Sequence, residues 1–188
     1  MKKGIAILIA VLAVIGIIIG IISGSYNGLV NQQEEVENKQ SVISVQLQRR
    51  ADLIPNFVNT VKGYSDYEQK TYTAVTEARN AVAGAKTAGE QTKAAEQLDS
   101  AISVWVNAVT EAYPELKANE NYKALQDELA GSENRIATAR KDYNDAAKAY
   151  NSSVRRFPKN IIAGMFGFEK ADFFNADSSA QTVPSVEF

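Results

Sequence analysis

The polar residues best placed to do chemistry fall into two groups. Arg49, Arg50 and Asp52 stand just before Pro55 and Asn56, and the pair Tyr143-Asn144 recurs seven residues on as Tyr150-Asn151. Arg50 lies on an apolar row, seven after Ile43 and seven before Phe57. Its charge must therefore reach outward along its stem or meet a carboxylate inside the fold. Two roles follow for this run: an ion pair that fixes helix register, or a binding site at a proline kink, where a freed carbonyl and several polar groups share one level. The paired Asn amides need partners if buried, so the expectation is cross-helix hydrogen bonding to the Arg49 to Asn56 region, with a ligand site as the alternative. Glu34, Glu35 and Glu37, like Asp142 and Asp145, offer oxygen ligands, but no EF-hand spacing or turn glycine accompanies them and they read as solvated helix faces.

The absences are equally informative. The 188 residues include no Cys and no His, which removes disulfides, thiolate nucleophiles, Cys/His zinc sites, imidazole bases and Ser-His-Asp triads. An enzyme built from this chain would need a carboxylate pair, Lys or Tyr in a pocket, and no spacing announces one, so the expectation is a protein with no catalytic activity and no cofactor. A net charge of −2 provides no basic field for phosphates and argues against nucleic-acid binding.

These groups must be carried by long helices. Only one of the four prolines falls between Lys2 and Tyr113. From Gly4 to Ile22 every residue is apolar or Gly, and a helix of that length rises about 28 Å, close to the roughly 30 Å hydrocarbon core. A cleaved signal peptide is the rival reading, but the run exceeds the roughly 7–15 residues of its apolar region. Lys2 and Lys3 at one end, against Glu34, Glu35 and Glu37 beyond the other, place the N-terminus in the cytoplasm.

Beyond the anchor no breaker intervenes, and Leu29, Val36, Ile43, Phe57 and Tyr64 recur by sevens, with Leu47, Ile54 and Val61 beside them. The helix is expected to run on and to kink around Ala51 to Pro55 rather than stop. Val75, Ala78, Val82 and Ala85 continue the stripe to a reversal in AGAKTAGE, where Gly84 and Gly89 end one helix and Glu90 opens the next. A helix over about Glu90 to Tyr113 carries Ala94, Leu98, Ala101, Trp105, Ala108 and Ala112 on one face, with Trp105 as its central core residue, and Pro114 closes it. In the last long helix Tyr122, Leu129, Ile136, Tyr143, Tyr150 and Phe157 form one row and Leu125, Ser132, Ala139, Ala146 and Ser153 the second. The fold class is all-α: a single N-terminal transmembrane helix continuing into an antiparallel, coiled-coil-like helical bundle.

The run Leu47-x-Arg49-Arg50-x-Asp52-Leu53-Ile54-Pro55-Asn56 is more particular than a bundle requires. With Tyr26-Asn27, Val61-Lys62-Gly63-Tyr64 and Ala78-Arg79 before it and after it, the N-terminal half resembles the LemA family. Glu133-Asn134-Arg135-Ile136, Ala139-Arg140, Tyr143-Asn144, Tyr150-Asn151, Phe157-Pro158 and Phe166-Gly167-Phe168 follow the same family's pattern in order, so the likeness covers roughly Tyr26 to Phe174. Tyr67-Glu68 departs from it, since relatives often carry His-Glu there. The resemblance implies a bacterial membrane protein with a helical bundle, encoded in many cases near membrane-linked peptidases and TPM-type domain proteins.

The expected organisation is an anchor over 1–25, a bundle over 26–170 and a flexible tail over 171–188. The apolar coda, including Phe157, Phe166 and Phe168, is expected to pack back on the bundle, with self-association or contact with membrane or partner as its other uses. The function expected is a structural or assembly protein of the cell envelope, self-associating through long helices. An adaptor for a membrane peptidase or another envelope enzyme, working through the Arg49 to Gly63 region and the coda, is the alternative. The lipid bilayer and a second copy of the chain are the expected partners, with a TPM-type domain protein or membrane peptidase as a further one. The expected location is the bacterial cell membrane, crossed once, with the bundle on the extracytoplasmic side.

Overall fold

A computed structural model describes residues 2–62 and 69–175. Helix α1 spans Lys2–Lys62, α2 Gln69–Gly84, α3 Ala88–Ala112, α4 Glu120–Arg155 and α5 Lys159–Phe166, with a 3-10 turn at Pro114–Ala118. Among the described residues there is no strand. The chain separates into two compact units, Met1–Asn38 with Asp145–Ala171, and Lys39–Asn144 with Asp172–Phe188. The first is called the anchor unit and the second the bundle unit.

In the anchor unit, the apolar start of α1 is long enough to cross a membrane and none of it is buried within the chain. Where that run ends, burial becomes periodic: Leu29 and Val36 are fully or almost fully buried, while Glu34, Glu35 and Glu37 between and beside them are exposed. The C-terminal part of α4 runs the opposite way against this stretch. Tyr150 lies within electrostatic reach of Glu37, and Lys159, farther along the chain, lies beside Gly28, nearer the start of α1. Ile162 and Ala163 bury one face of α5. The helix ends at Gly167, whose φ of 76° is the left-handed conformation that glycine adopts without a Cβ penalty. In that geometry the Phe168 amide returns to the Ala163 carbonyl at 3.0 Å.

Among the described residues the bundle unit has four helices running up, down, up and down. Ser44, Arg50 and Phe57 of α1 meet Gln91, Asp99 and Trp105 of α3 in the same order, so those two run parallel. The α1 residues Arg49 and Phe57 meet Glu128 and Tyr122 of α4 in reverse order. The α1 heptad row is buried as its spacing predicts: Ile43, Leu47, Ile54 and Phe57 are each at most 5% exposed. Phe57 sits at the centre of an aromatic cluster, with its ring centroid 4.9 Å from Trp105 and 5.1 Å from Tyr122, both in tilted geometry. The Tyr122 hydroxyl pairs with Thr110 Oγ1 at 2.6 Å, which satisfies its polar end in the core.

Pro55 lies inside α1, which continues to Lys62, so a clean stop there does not occur. Gly63, Tyr64 and Tyr67-Glu68 lie outside the described residues, and so does the side chain of Val61. On α3 the buried row is Gln91, Ala94, Ala95, Leu98, Ile102, Trp105 and Val109. Ala101 and Ala108 are only half-buried, because Ile102 and Val109 one position on fill the seam, and Ala112, the last residue of α3, is exposed. The α4 row holds through Tyr122, Ile136, Tyr143 and Tyr150, with Leu129 half-buried. It fails at Phe157, which lies beyond the helix end and is 81% exposed.

The α2–α3 reversal is tighter than expected from its glycines. Helix α3 opens at Ala88, and Thr87 is its cap: Thr87 Oγ1 accepts from the Glu90 amide at 3.2 Å while Glu90 accepts from the Lys86 and Thr87 amides at 2.8 and 3.0 Å. Gly89 thus lies in the first turn and Glu90 is the third residue of the helix, closing the box. The Lys86 and Thr87 amides hold the Glu90 carboxyl below its ordinary value of 4.5. A lowered carboxyl stabilises the cap fully above its ordinary value and loses that stabilisation as pH falls below it and through the lowered value of the folded state. Protection of the Lys86 and Thr87 amides from hydrogen exchange, corrected for intrinsic rates, is therefore expected to drop in acid, and Glu90→Gln is expected to flatten that dependence.

Candidate functional site

In the bundle unit, Arg49, Arg50 and Asp52 are consecutive enough to leave α1 in three directions, and each is engaged by a different set of helices. Arg50 is 8% exposed and its Nη1 stands 2.5 Å from Asp99 Oδ1 on α3 while also pairing with Glu133 on α4. Arg49 Nη2 reaches Glu128 of α4 at 3.1 Å, a carboxylate shared with Arg135 at 2.6 Å. Asp52 accepts from Gln48 one turn back at 3.0 Å and faces Arg79 of α2 at 3.4 Å. One run of α1 is thus tied to α2, α3 and α4.

The energies of these ties differ. The Arg49 and Asp52 contacts are solvent-exposed and are worth a few tenths to about 1 kcal/mol each. Arg50 is the costly one, because an almost fully buried guanidinium is tolerated only when carboxylates compensate its lost hydration. Pro55, five residues farther along α1, is half-buried, and the Asn56 carbonyl accepts from Thr60 Oγ1 at 2.9 Å, an ordinary back-bond within the helix.

The Tyr-Asn pairs do something different from what their spacing alone indicates. The Asn144 amide does not reach the Arg49 to Asn56 region. In the bundle unit its Nδ2 donates to the Phe174 carbonyl at 2.8 Å and its Oδ1 accepts from the Phe174 amide at 2.9 Å. A carboxamide offers one donor and one acceptor side by side, which matches the N–H and C=O of a single residue in extended backbone. Tyr143 supports the same contact. Its hydroxyl donates to the Asp172 carbonyl at 2.9 Å, and its ring meets the Phe174 ring edge-on at 4.9 Å. Burial, and then the Asp172 charge, push the Tyr143 phenol up, which keeps it protonated as that donor. Arg140 covers the Phe174 ring at 5.9 Å, and Phe174 is 5% exposed.

The anchor unit repeats the device seven residues along α4. Asn151 Nδ2 donates to the Ala171 carbonyl and Oδ1 accepts from the Ala171 amide, both at 2.8 Å. Tyr150 is buried beside it, its phenol pushed up by burial and then by the charges of Glu37 and Glu169. The start of the expected flexible tail is therefore held: Ala171, Asp172 and Phe174 are all bonded through their main chain, because α4 supplies two amides and a phenol hydroxyl that replace the solvent these groups would otherwise bind. Residues 176–188 lie outside the described residues.

The apolar coda is divided. In the anchor unit Tyr26 receives the edges of Phe166 and Phe168 at 4.9 and 5.5 Å, and Ile162 and Ala163 are buried. Phe157, Ile161, Met165 and Phe166 remain 52% to 81% exposed. Sequence reasoning named Arg50 but not its partners Asp99 and Glu133, and named both Asn residues without the backbone they hold. Among the described residues no group of three carboxylates converges as a metal site. The open groove between α2 and α3, about 830 Å³, is lined chiefly by Ala, Ser and solvated charges such as Glu77, Lys93 and Glu96.

This geometry defines a class: a helical bundle behind an apolar, membrane-length helix, whose polar motifs bind the chain to itself. A profile of the LemA family matches residues 39–188, and the chain belongs to that family. The magnetosome proteins MamQ 1 and MamQ 2 of Paramagnetospirillum magneticum are each 27% identical over 181 residues, covering 83% of this chain. Protein LemA of Metamycoplasma hominis is 29% identical over 152 residues, covering 79% of this chain. The chain spans 66% of the length of each of these relatives.

Two expectations test the ties. Arg50→Ala, which takes away the cation shared by Asp99 and Glu133 while 31% and 44% of their side chains are in water, is expected to destabilise the bundle by about 1–3 kcal/mol in denaturant unfolding. The triple change Arg50→Met, Asp99→Asn, Glu133→Gln, which removes all three charges, is expected to recover most of that loss. Asn144→Ala, which removes both bonds to Phe174, is expected to lower exchange protection of the Phe174 amide, and Asn144→Asp, which keeps the acceptor of that amide and loses only the donor to its carbonyl, to lower it less.

Proposed function

We propose that this chain is a membrane-anchored structural protein of the bacterial cell envelope, which assembles with copies of itself through its long helices and performs no catalysis. The observation that carries the reading is the fate of the polar motif residues. Arg49, Arg50, Asp52, Tyr143, Asn144 and Asn151 are all engaged by other helices or by main chain rather than turned toward a shared cavity. What such a molecule offers to others is its surfaces. The unburied apolar start of α1 supports attachment to a bilayer, with Lys2 and Lys3 favouring a cytoplasmic N-terminus and an extracytoplasmic bundle. Similarity to proteins named for the magnetosome, a cellular body rather than a reaction, fits a structural role.

In-membrane crosslinking combined with light scattering of the full chain in nanodiscs tests this. Oligomers of the chain at near-native abundance are the expected result. A sharp monomer, with crosslinks from the bundle leading to a membrane peptidase or a TPM-type domain protein, would overturn self-assembly in favour of an adaptor role.

A further inference from the structure

Helix α5 carries one charge, Lys159, in the eight residues KNIIAGMF, and it is apolar on more than one face. Ile162 and Ala163 occupy the face turned into the anchor unit. Ile161 and Met165, four apart and hence neighbours on a second face, are 52% and 68% exposed, and Phe166 beside them is 53% exposed. A helix apolar nearly all round has a second apolar environment to meet.

The level at which α5 sits says what that environment is. Phe166 packs its ring against Tyr26 at 4.9 Å, Phe168 does so at 5.5 Å, and Lys159 Nζ lies 3.6 Å from where a methyl group on Gly28 would be. Tyr26 lies only about 6 Å of helix beyond Ile22, where the apolar run ends. The polar layer of a bilayer adds roughly 5–7 Å on each side of the hydrocarbon, and any tilt of α1 lowers Tyr26 further into it. Tyr is itself a residue of that layer. Arg155 and Arg156 are exposed and Lys159 is half-buried just before the exposed face, and cations at that level can pair with lipid phosphates. The acidic cluster Glu34, Glu35 and Glu37 lies about two to three turns farther along α1 than Tyr26, away from the phosphates.

We infer that α5 is an interfacial foot: with α1 spanning the bilayer, Ile161, Met165 and Phe166 insert into the headgroup layer of the same leaflet from which α1 emerges, and Arg155, Arg156 and Lys159 bind its phosphates. The chain would then hold the membrane by two elements, one crossing it and one lying in it. This rests on α1 being a membrane anchor.

The chain has no native Cys, so single substitutions give clean spin-label positions. The full chain is reconstituted in vesicles of phosphatidylcholine with a quarter phosphatidylglycerol, and labels at Ile161→Cys, Met165→Cys, Ile15→Cys and Lys148→Cys are compared for collision with oxygen and with a water-soluble nickel chelate. All replaced side chains are exposed, so helicity by circular dichroism is expected to be unchanged. The expected result is oxygen accessibility above nickel accessibility at positions 15, 161 and 165 and the reverse at 148. Membrane-like values at 15 with water-like values at 161 and 165 would overturn the foot and leave the anchor standing. Water-like values at 15 as well would overturn the anchor and the foot with it. Protection at 161 and 165 with dipolar broadening that vanishes on dilution with unlabelled chain would assign this face to a second copy and likewise overturn the foot.

Discussion

A guanidinium on the apolar seam of α1 is the constraint around which the bundle unit is arranged. Between Ile43 and Phe57 the heptad row places Arg50 where its neighbours are hydrocarbon, and an ion there is stable only if carboxylates reach it from the facing helices. Asp99 and Glu133 do so, one from α3 and one from α4. A shift of either helix by one turn, about 5.4 Å, would take its carboxylate out of reach. Apolar rows tolerate such slips more readily, since one buried aliphatic contact is much like the next. The pair of contacts therefore specifies register where the hydrophobic effect supplies cohesion, and Phe57, seven residues on, packs its ring between Trp105 and Tyr122 in the register that results.

Side-chain amides serve a second specification. Asn144 and Asn151 each hold one residue of extended chain by both of its main-chain groups, which is the bonding a neighbouring strand would supply. A helical protein has no strand to offer, so a segment that leaves α5 without regular structure must find its partners in side chains or in water. The Tyr143 hydroxyl completes this in the bundle unit by accepting no charge of its own: burial and Asp172 keep it a neutral donor. Helix-face amides one heptad apart thus turn part of the C-terminal region into a structural component of each unit.

Much of the architecture was legible in residue spacing. The rows Leu29, Val36, Ile43 and Phe57 on α1, and Tyr122, Ile136, Tyr143 and Tyr150 on α4, are buried as written, because helical period and apolar burial are both local consequences of composition. The apolar length of Gly4 to Ile22 and the absence of Cys and His are likewise read directly from the chain. Ala112 and Phe157 departed from their rows for local reasons: both lie at helix ends, where a period no longer holds a side chain against its neighbours. Helix α3 opens two residues before Glu90, since the glycines of the reversal are conspicuous in the sequence while the Thr87 to Glu90 box depends on a reciprocal geometry.

The residue sequence by itself determined the helices, the membrane-length apolar run, the seams and the presence of a charge where none belongs. Only the tertiary structure decided which carboxylates neutralise Arg50, that Asn144 and Asn151 grip main chain rather than α1, and that α5 keeps Ile161 and Met165 outside while burying Ile162 and Ala163. The physical reason is one of range. Periodicity acts within a helix and is written in neighbouring residues, whereas a polar group takes whichever partner the packing of distant segments brings within hydrogen-bond distance.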